Sequence, residues 1–272
     1  MRAVIMSLVI AAGLYLIIVA MAYTFQRALL YAPDRNGPSE QDLTAADFSS
    51  VSINADEHVL QSLWRKPVEE AKPVFLHLHG NAGSTAVRLP IYQAMAADGA
   101  GVLAVGYPGY GGNPGSPDEQ ALYKTARANY DWLIAQGFKA EQIIIVGQSL
   151  GTGVATWLAT EKDAAGLILE AAYTAMDDMA QRQFPILPAK WLTKDRYPSF
   201  SRIDQINMPL IWIHGTNDGL IPFAMGQKLF DAAREPKTAR AIKNGGHNDL
   251  WMRGIDAIIR NEADRLVPSD PS

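Results

Sequence analysis

Residues 143–151 read Ile-Ile-Ile-Val-Gly-Gln-Ser-Leu-Gly, so an apolar run leads into a serine that has a glycine two positions away on either side. A continuous apolar run is typical of a strand in a parallel sheet covered on both faces. Residues 150–160 have the pattern of a helix, which predicts that Ser149 lies on a sharp strand-to-helix turn where glycine is favoured at 147 and 151. Such a turn exposes the hydroxyl, so Ser149 is a candidate nucleophile; its alternative role is a plain helix cap.

Apolar runs elsewhere in the chain repeat the pattern of a buried strand. They lie at 74–78, 101–105, 167–169 and 210–213, with a less apolar strand near 239–242. Residues 49–65 predict two short strands around a turn at 54–57. Because helix-length segments separate the later strands, the sequence predicts a doubly wound, mostly parallel α/β sheet that begins with an antiparallel hairpin and spans residues 48–265.

The clearest helix start follows a glycine-rich loop. Ser116 is the predicted N-cap, because Pro117 follows at the first helical position and Glu119 lies three residues after the cap. Gly137 is the predicted end of this helix. The spacing of the glycines at 109–115 fits neither the phosphate-binding nor the dinucleotide-binding fingerprint, so we expect a surface turn there.

A serine nucleophile needs a base and an acid that orients the base. After a strand-to-helix elbow the chain order is serine, acid, histidine, and only His214 and His247 follow Ser149. His214 ends an apolar strand and is predicted to be structural, whereas His247 lies in the loop 244–249 and is the predicted base. Asp218 follows the strand 210–213 and is the predicted acid, with an Asx turn as its alternative role. The other candidate acids are Glu170, Asp177, Asp178 and Asp249.

The oxyanion of an acyl-transfer reaction needs two hydrogen-bond donors. We predict the backbone amides of Leu150 and Asn81, with Ala82 as the alternative to Asn81, because small residues let the loop 80–83 approach closely. His77 and His79 are two positions apart and could share a metal ion, but no third ligand is evident. We therefore expect no metal, and expect His79 to brace the loop.

The composition excludes several classes of function. The chain has 272 residues, of which 48% are hydrophobic and 19% charged, as in a globular protein with a substantial core. Its net charge is -4 and its basic residues are scattered, so a nucleic-acid partner is not expected. The absence of cysteine excludes disulfides, thiolate metal sites and a cysteine nucleophile.

The N-terminal residues 3–25 carry no charge and are almost all apolar. As a helix they would extend about 35 Å, enough to cross a hydrocarbon core of about 30 Å, which predicts a single-pass membrane anchor. One alternative is a cleaved signal peptide with Ala20-Met21-Ala22 at the cleavage site, although the run is longer than the apolar region of such peptides; another is a buried core helix. Residues 26–47 are a predicted polar connector and 266–272 a tail.

Positive charges flank both ends of the apolar run 3–25. We expect the folded domain to lie outside the cytoplasm, and to be secreted or periplasmic if the N-terminal segment is cleaved.

Together these residues resemble the α/β-hydrolase superfamily, in particular small-lidded, membrane-anchored members similar to serine aminopeptidase and prolyl-oligopeptidase-type hydrolase domains. The resemblance covers residues 26–265 and rests on the segments 79–83, 107–111, 147–151, 214–218 and 246–249. Gly106-Tyr107-Pro108 is a departure, because many relatives have Asp-Tyr-Arg there. The resemblance implies a short lid at 174–208, rich in apolar residues, over an open apolar cleft.

The resemblance also implies acyl transfer to Ser149, with His247 as base and Asp218 orienting it, and no cofactor. The expected substrate is a small-molecule or lipid ester, as for a carboxylesterase or lipase. A peptidase or amidase of the same fold is one alternative. A catalytically silent, membrane-tethered binding protein is another; a missing member of the Ser-Asp-His set would indicate it, and all three are present.

Overall fold

A computed structural model of the protein describes residues 1–268, so residues 269–272 of the predicted tail lie outside the described part. The strands are β1 (Ala32–Pro33), β2 (Ser49–Ala55), β3 (His58–Arg65), β4 (Val74–Leu78), β5 (Ala82–Gly83), β6 (Gly101–Ala104), β7 (Ile143–Gln148), β8 (Gly166–Glu170), β9 (Leu210–Gly215) and β10 (Lys237–Ile242). The helices are α1 (Arg2–Leu30), α2 (Glu40–Ala46), α3 (Leu89–Met95), α4 (Glu119–Ala135), α5 (Leu150–Glu161), α6 (Met176–Gln183), α7 (Ala189–Leu192), α8 (Phe223–Ala232) and α9 (Ile255–Leu266). Short 3₁₀ helices lie at Ala86–Arg88, Ala140–Gln142, Ser199–Ser201, Ile203–Gln205 and Trp251–Arg253.

Within the described residues, eight strands form one sheet in the order β10-β9-β8-β7-β4-β6-β3-β2. The hairpin of β2 and β3 is antiparallel, β3 is antiparallel to β6, and the other neighbouring pairs are parallel. The predicted doubly wound class with an antiparallel start is therefore confirmed. Strand β7 lies between β4 and β8, so Ser149 follows a central strand of the sheet.

Strand β7 is buried from Ile143 to Gly147. Because successive side chains of a strand point to opposite faces, Ile143 and Ile145 join the core beneath α4 and α5. Ile144 and Val146 join the second core, beneath α3 and α9. Packing on both faces fixes the strand, and with it the position of the turn that follows.

The helix α4 begins later than the sequence predicted. The predicted N-cap at Ser116 is wrong: Asp118 is the N-cap, and its carboxylate accepts a hydrogen bond of 2.8 Å from the amide of Ala121. Aspartate caps a helix as well as serine does. The carboxylate of Glu119 instead accepts hydrogen bonds from the hydroxyl of Tyr123, at 2.8 Å, and from the backbone amide of Arg196.

The N-terminal region packs closely against the sheet domain. Helix α1 continues beyond the predicted 3–25 to Leu30, and β1 pairs with β5. In the stretch 26–47, predicted as a connector, Tyr31, Leu43 and Ala46 are buried in the two cores. Two buried side chains in the seven-residue α2 are too few to form a visible apolar run, which is why this packing was not predicted.

Candidate active site

Ser149 lies between β7 and α5 with φ 50° and ψ −118°, a backbone conformation that residues other than glycine rarely adopt. The flanking glycines leave no room for a side chain. A Cβ atom at Gly151 would lie 2.0 Å from the carbonyl oxygen of Leu78, and one at Gly147 would lie 2.7 Å from the Cα of Thr152. The Gly-x-Ser-x-Gly pattern is thus a steric requirement of this turn, which stores about 1–3 kcal/mol of strain at the serine.

The three residues predicted to form the catalytic set are in hydrogen-bond contact. The hydroxyl oxygen of Ser149 lies 3.0 Å from Nε2 of His247. The other ring nitrogen of His247, Nδ1, lies 2.7 Å from Oδ2 of Asp218. This order presents one nitrogen of the imidazole to the hydroxyl and the other to a carboxylate, as a general base requires.

Asp218 is held by its own loop. Its Oδ1 accepts hydrogen bonds from the amides of Leu220 and Ile221, at 2.9 and 2.8 Å. Burial acts to raise the pKa of Asp218, but the hydrogen bonds from His247 and the two amides outweigh burial and hold the pKa below its usual range. The carboxylate is therefore charged at neutral pH and accepts a hydrogen bond from Nδ1–H of His247, which leaves the lone pair of Nε2 directed at the hydroxyl of Ser149.

His214, the other candidate base, is buried. Its Nδ1 accepts a hydrogen bond from Trp212, and its Nε2 donates one of 2.9 Å to the carbonyl of Ile221. Burial lowers the pKa of His214, so the ring is neutral and fixed in one tautomer. Its place is structural, as predicted: it packs beneath the loop that carries Asp218.

The other candidate acids have different partners. Glu170 binds Gln148 and Trp251, Asp177 accepts from the amide of Asp178, Asp178 binds Thr174 and Lys190, and Asp249 binds the amide of Gly246 and the side chain of Arg253. Of the carboxylates in the described part of the chain, only that of Asp218 hydrogen-bonds to His247.

The predicted oxyanion loop passes directly beside the serine. A Cβ atom at Gly80 would lie 3.4 Å from the Cβ of Ser149. The carbonyl of Asn81 accepts from Ala32 and from the hydroxyl of Tyr110, and the side-chain amide of Asn81 donates to Leu30. These bonds fix the peptide at Asn81, whereas the alternative donor, Ala82, belongs to the β1–β5 pair.

Two backbone donors are available near the hydroxyl. Among the described residues, no acceptor pairs with the amide of Asn81 or of Leu150, and both residues line one cavity with Ser149. Leu150 is the first residue of α5, where helix amides have no partner within the helix and favour negative charge.

The two early histidines are buried and have separate surroundings. Burial lowers the pKa of His77 to about 3, and its ring packs against Tyr92. The Nδ1 of His79 lies 2.7 Å from the carbonyl of Gly80, and its ring lies against Tyr107 with centroids 4.1 Å apart. The predicted bracing role of His79 at the oxyanion loop agrees with these contacts.

Comparison with known proteins assigns the family. Residues 73–200 match the family model of the alpha/beta hydrolase fold. A protein of Mycobacterium tuberculosis described as uncharacterized is 33% identical over 251 residues, which cover 89% of each chain. The chain belongs to the α/β hydrolase family.

Further relatives of this α/β hydrolase have named activities of their own. The lysophosphatidylserine lipase ABHD12 of Danio rerio is 32% identical over 202 residues, which cover 66% of this chain and 52% of that protein. The solved structure of an esterase of Pyrococcus furiosus matches with a TM-score of 0.68 at 16% identity, covering 88% of this chain and 97% of the other. At that identity the likeness is one of fold.

A cavity of about 280 Å³ opens at the serine of this hydrolase. It is bounded by the lid segment, residues 174–208, which contains α6 and α7, and by the C-terminal half of α1. Met176, Met179 and Leu187 of the lid segment line it together with Val19 and Ala22 of α1. The sequence predicted an apolar lid here but not that the N-terminal helix forms a wall.

Sequence reasoning also missed a polar chain behind the elbow. Arg88 donates to the carbonyl of Ala82, at 2.7 Å, and to the side chain of Gln148, at 3.4 Å. Gln148 donates to Glu170, at 3.1 Å, and Trp251 donates to the other oxygen of the same carboxylate. These hydrogen bonds connect the oxyanion loop, the turn at Ser149 and the segment that follows His247. The available signal was that Gln148 and Glu170 both end neighbouring strands.

Proposed function

We propose that this hydrolase cleaves carboxylic esters through an acyl-enzyme on Ser149. The observation that carries the proposal is the continuous set of hydrogen bonds from Ser149 to His247 to Asp218, at 3.0 and 2.7 Å. A serine on a strained turn that opens on a cavity, with an imidazole oriented toward its hydroxyl, is the arrangement that makes a hydroxyl nucleophilic.

The reaction follows from this geometry. The Oγ of Ser149 attacks the carbonyl carbon while Nε2 of His247 takes its proton, and the amides of Leu150 and Asn81 stabilise the oxyanion. The imidazolium, stabilised by Asp218, then gives the proton to the leaving alkoxide, so that an alcohol departs and the acyl group remains on Ser149. Water repeats the two steps, with His247 as base and then acid, and releases the carboxylic acid.

The surroundings of the serine favour an ester with an apolar acyl group. The cavity is lined mostly by Met, Leu, Val, Ala and aromatic side chains. The charged side chains among its walls, Arg27 and Asp195, are paired with each other at 2.8 Å. We further propose that α1 anchors the enzyme in a membrane, since α1 is long and apolar enough to span one. In the orientation that we propose, the catalytic domain is outside the cytoplasm and Arg2 and the N-terminal amine are on the cytoplasmic side.

The proposed function is tested with the full-length protein and a fluorophosphonate probe, together with p-nitrophenyl esters, thioesters and aminoacyl anilides. We expect labelling and ester turnover by the wild type, and neither by Ser149→Ala. Equal labelling of the two proteins would contradict a nucleophilic Ser149. Turnover of anilides equal to that of esters would instead support a peptidase or amidase.

A further inference from the structure

One face of helix α1 contacts the catalytic domain although the helix is apolar all round. Its partly buried residues from the middle onward are Val19, Ala22, Gln26 and Leu30, at spacings of three and four residues. Such spacing places them on a single face. All four line the cavity at Ser149, whereas Ala20 and Met21 between them are exposed.

This face is attached to the lid segment by polar contacts. The hydroxyl of Tyr15, one turn before Val19, donates to the carbonyl of Ile186 at 2.9 Å. The side-chain amide of Gln26 donates to the carbonyl of Leu192 and accepts from the amide of Lys194, at 3.2 and 2.7 Å. The helix therefore has a defined rotation relative to the lid segment.

A second group of contacts holds the end of α1 against the domain. Arg27 binds both oxygens of Asp195 and also pairs with Asp118 at 3.2 Å. The side chain of Asp195 is only 5% exposed, which strengthens its attraction to the guanidinium. Immediately after the helix, the hydroxyl of Tyr31 lies 2.7 Å from that of Tyr197.

The wall formed by α1 has the length of an acyl chain. Val19 and Leu30 are separated by about 16 Å along the helix axis at the rise of an α-helix. The end at Leu30 is the end nearest the reacting groups, because the carbonyl of Leu30 accepts a hydrogen bond from Asn81. About 16 Å is close to half of a hydrocarbon core of about 30 Å, which is the depth of one leaflet. Residues 19–25 of the wall belong to the uncharged run 3–25 and residues 26–30 lie beyond it, so the wall extends from the hydrocarbon region out toward the serine.

The outer surface of the lid segment also fits a membrane. Ile186 and Trp191 are 77% and 81% exposed, although they are large and apolar, and Phe184 is 41% exposed. Lys190 and Lys194 lie on the same segment. Exposed apolar side chains with tryptophan and lysine beside a membrane helix are characteristic of the interface between hydrocarbon and headgroups.

We propose that α1 is a wall of the acyl-binding site, and that the substrate is a long-chain ester resident in the membrane whose acyl chain enters between α1 and the lid segment from the adjoining leaflet. This inference rests on the proposed ester hydrolysis. Ala22 and Val19 are then residues that determine acyl-chain specificity, and the anchor is part of the active site.

The test uses full-length protein reconstituted into phosphatidylcholine vesicles, with p-nitrophenyl palmitate and p-nitrophenyl acetate as substrates. Ala22→Trp places an indole in the cavity, and Ala20→Trp places the same side chain on the exposed face as a matched control. We expect Ala22→Trp to lower the ratio of kcat/KM for palmitate to that for acetate by at least about tenfold, as loss of a few methylene contacts does. Ala20→Trp should leave the ratio unchanged, and Val19→Trp should lower it as Ala22→Trp does.

The outcomes separate this inference from the function on which it rests. An unchanged palmitate-to-acetate ratio in Ala22→Trp and Val19→Trp, with a wild type that is labelled by the phosphonate at Ser149, overturns the inference alone. Loss of labelling in Ala22→Trp also overturns it, since the indole would then act on the elbow. A wild type that neither labels nor hydrolyses either ester overturns the proposed function, and the inference with it.

Discussion

Replacing Asp218 with asparagine changes which ring nitrogen of His247 carries the proton, while leaving the loop of Asp218 intact. An asparagine amide at the position of Oδ2, 2.7 Å from Nδ1 of His247, would donate a hydrogen bond where the carboxylate accepts one. The ring would then carry its proton on Nε2, 3.0 Å from the Oγ of Ser149. In that tautomer the imidazole donates to the hydroxyl and cannot accept its proton.

The size of the effect follows from these contacts. Losing the correct tautomer in a serine-histidine-aspartate set lowers kcat by about 10⁴-fold, or about 5.5 kcal/mol of barrier. The loss of stability should be small, because the remaining oxygen can still accept from the amides of Leu220 and Ile221. We expect the free energy of unfolding to fall by about 1–2 kcal/mol, the difference between a charged and a neutral hydrogen bond.

The assay is steady-state hydrolysis of a p-nitrophenyl ester by wild type, Asp218→Asn and Asp249→Asn, with urea unfolding of each. Asp249→Asn is the matched control: it removes the same charge from the loop of His247, where the carboxylate pairs with Arg253 at the surface. We expect it to stay within about fivefold of wild type, as exposed ion pairs contribute little. If Asp218→Asn keeps more than about a tenth of the wild-type kcat, Asp218 does not orient the base.

Three further predictions concern the elbow and its acid. Gly151→Ala should lower the free energy of unfolding in urea by about 3 kcal/mol or more, because its Cβ would lie 2.0 Å from the Leu78 carbonyl oxygen. Gly219→Ala is the control and should change stability little, because the space around Gly219 is open. Equal effects of the two substitutions would contradict the packing at the elbow. Ser149→Gly should be inactive but more stable than Ser149→Ala by about 1 kcal/mol, since glycine relieves the strained φ of 50°; equal stability would show that the turn is not strained. Asp218 has a lowered pKa in the folded state, so its contribution to stability is complete above the ordinary aspartate pKa of about 3.9 and is lost as the pH falls through the lower folded value. The free energy of unfolding should therefore decrease more steeply with falling pH for wild type than for Asp218→Asn. Parallel curves for the two proteins would contradict this.

The elbow could be predicted from sequence because the determinants are local. An apolar strand, two glycines and a helix occupy one continuous stretch, and the steric conflict at 147 and 151 arises within it. The predictions of His247 and Asp218 rested on chain order and on their positions after strands. Their distances to Ser149 depend on the register of β7, β8, β9 and β10, which no local pattern determines.

The remaining features depend on contacts between distant parts of the chain. Glu119 lies where a capping box would use it, but it binds the lid segment, and Asp118 caps α4 instead. The apolar character of α1 hides the face that docks on the catalytic domain, because the exposed residues of the helix and the residues that line the cavity are both mostly apolar. Gln26 and Arg27, polar residues at the end of the run, indicate the docked side, but their partners Leu192, Asp195 and Asp118 lie more than 90 positions away in the sequence.

Trapping the acyl-enzyme tests most directly whether Ser149 is the nucleophile. Full-length protein mixed with a p-nitrophenyl ester and quenched in acid before steady state should carry the acyl group on the peptide containing Ser149, as detected by mass spectrometry. Conditions that slow deacylation should increase the fraction of protein that is acylated, and Ser149→Ala should carry no acyl group. Ester turnover with the acyl group on another residue, or with no acylated protein at any time, would contradict Ser149 as the nucleophile.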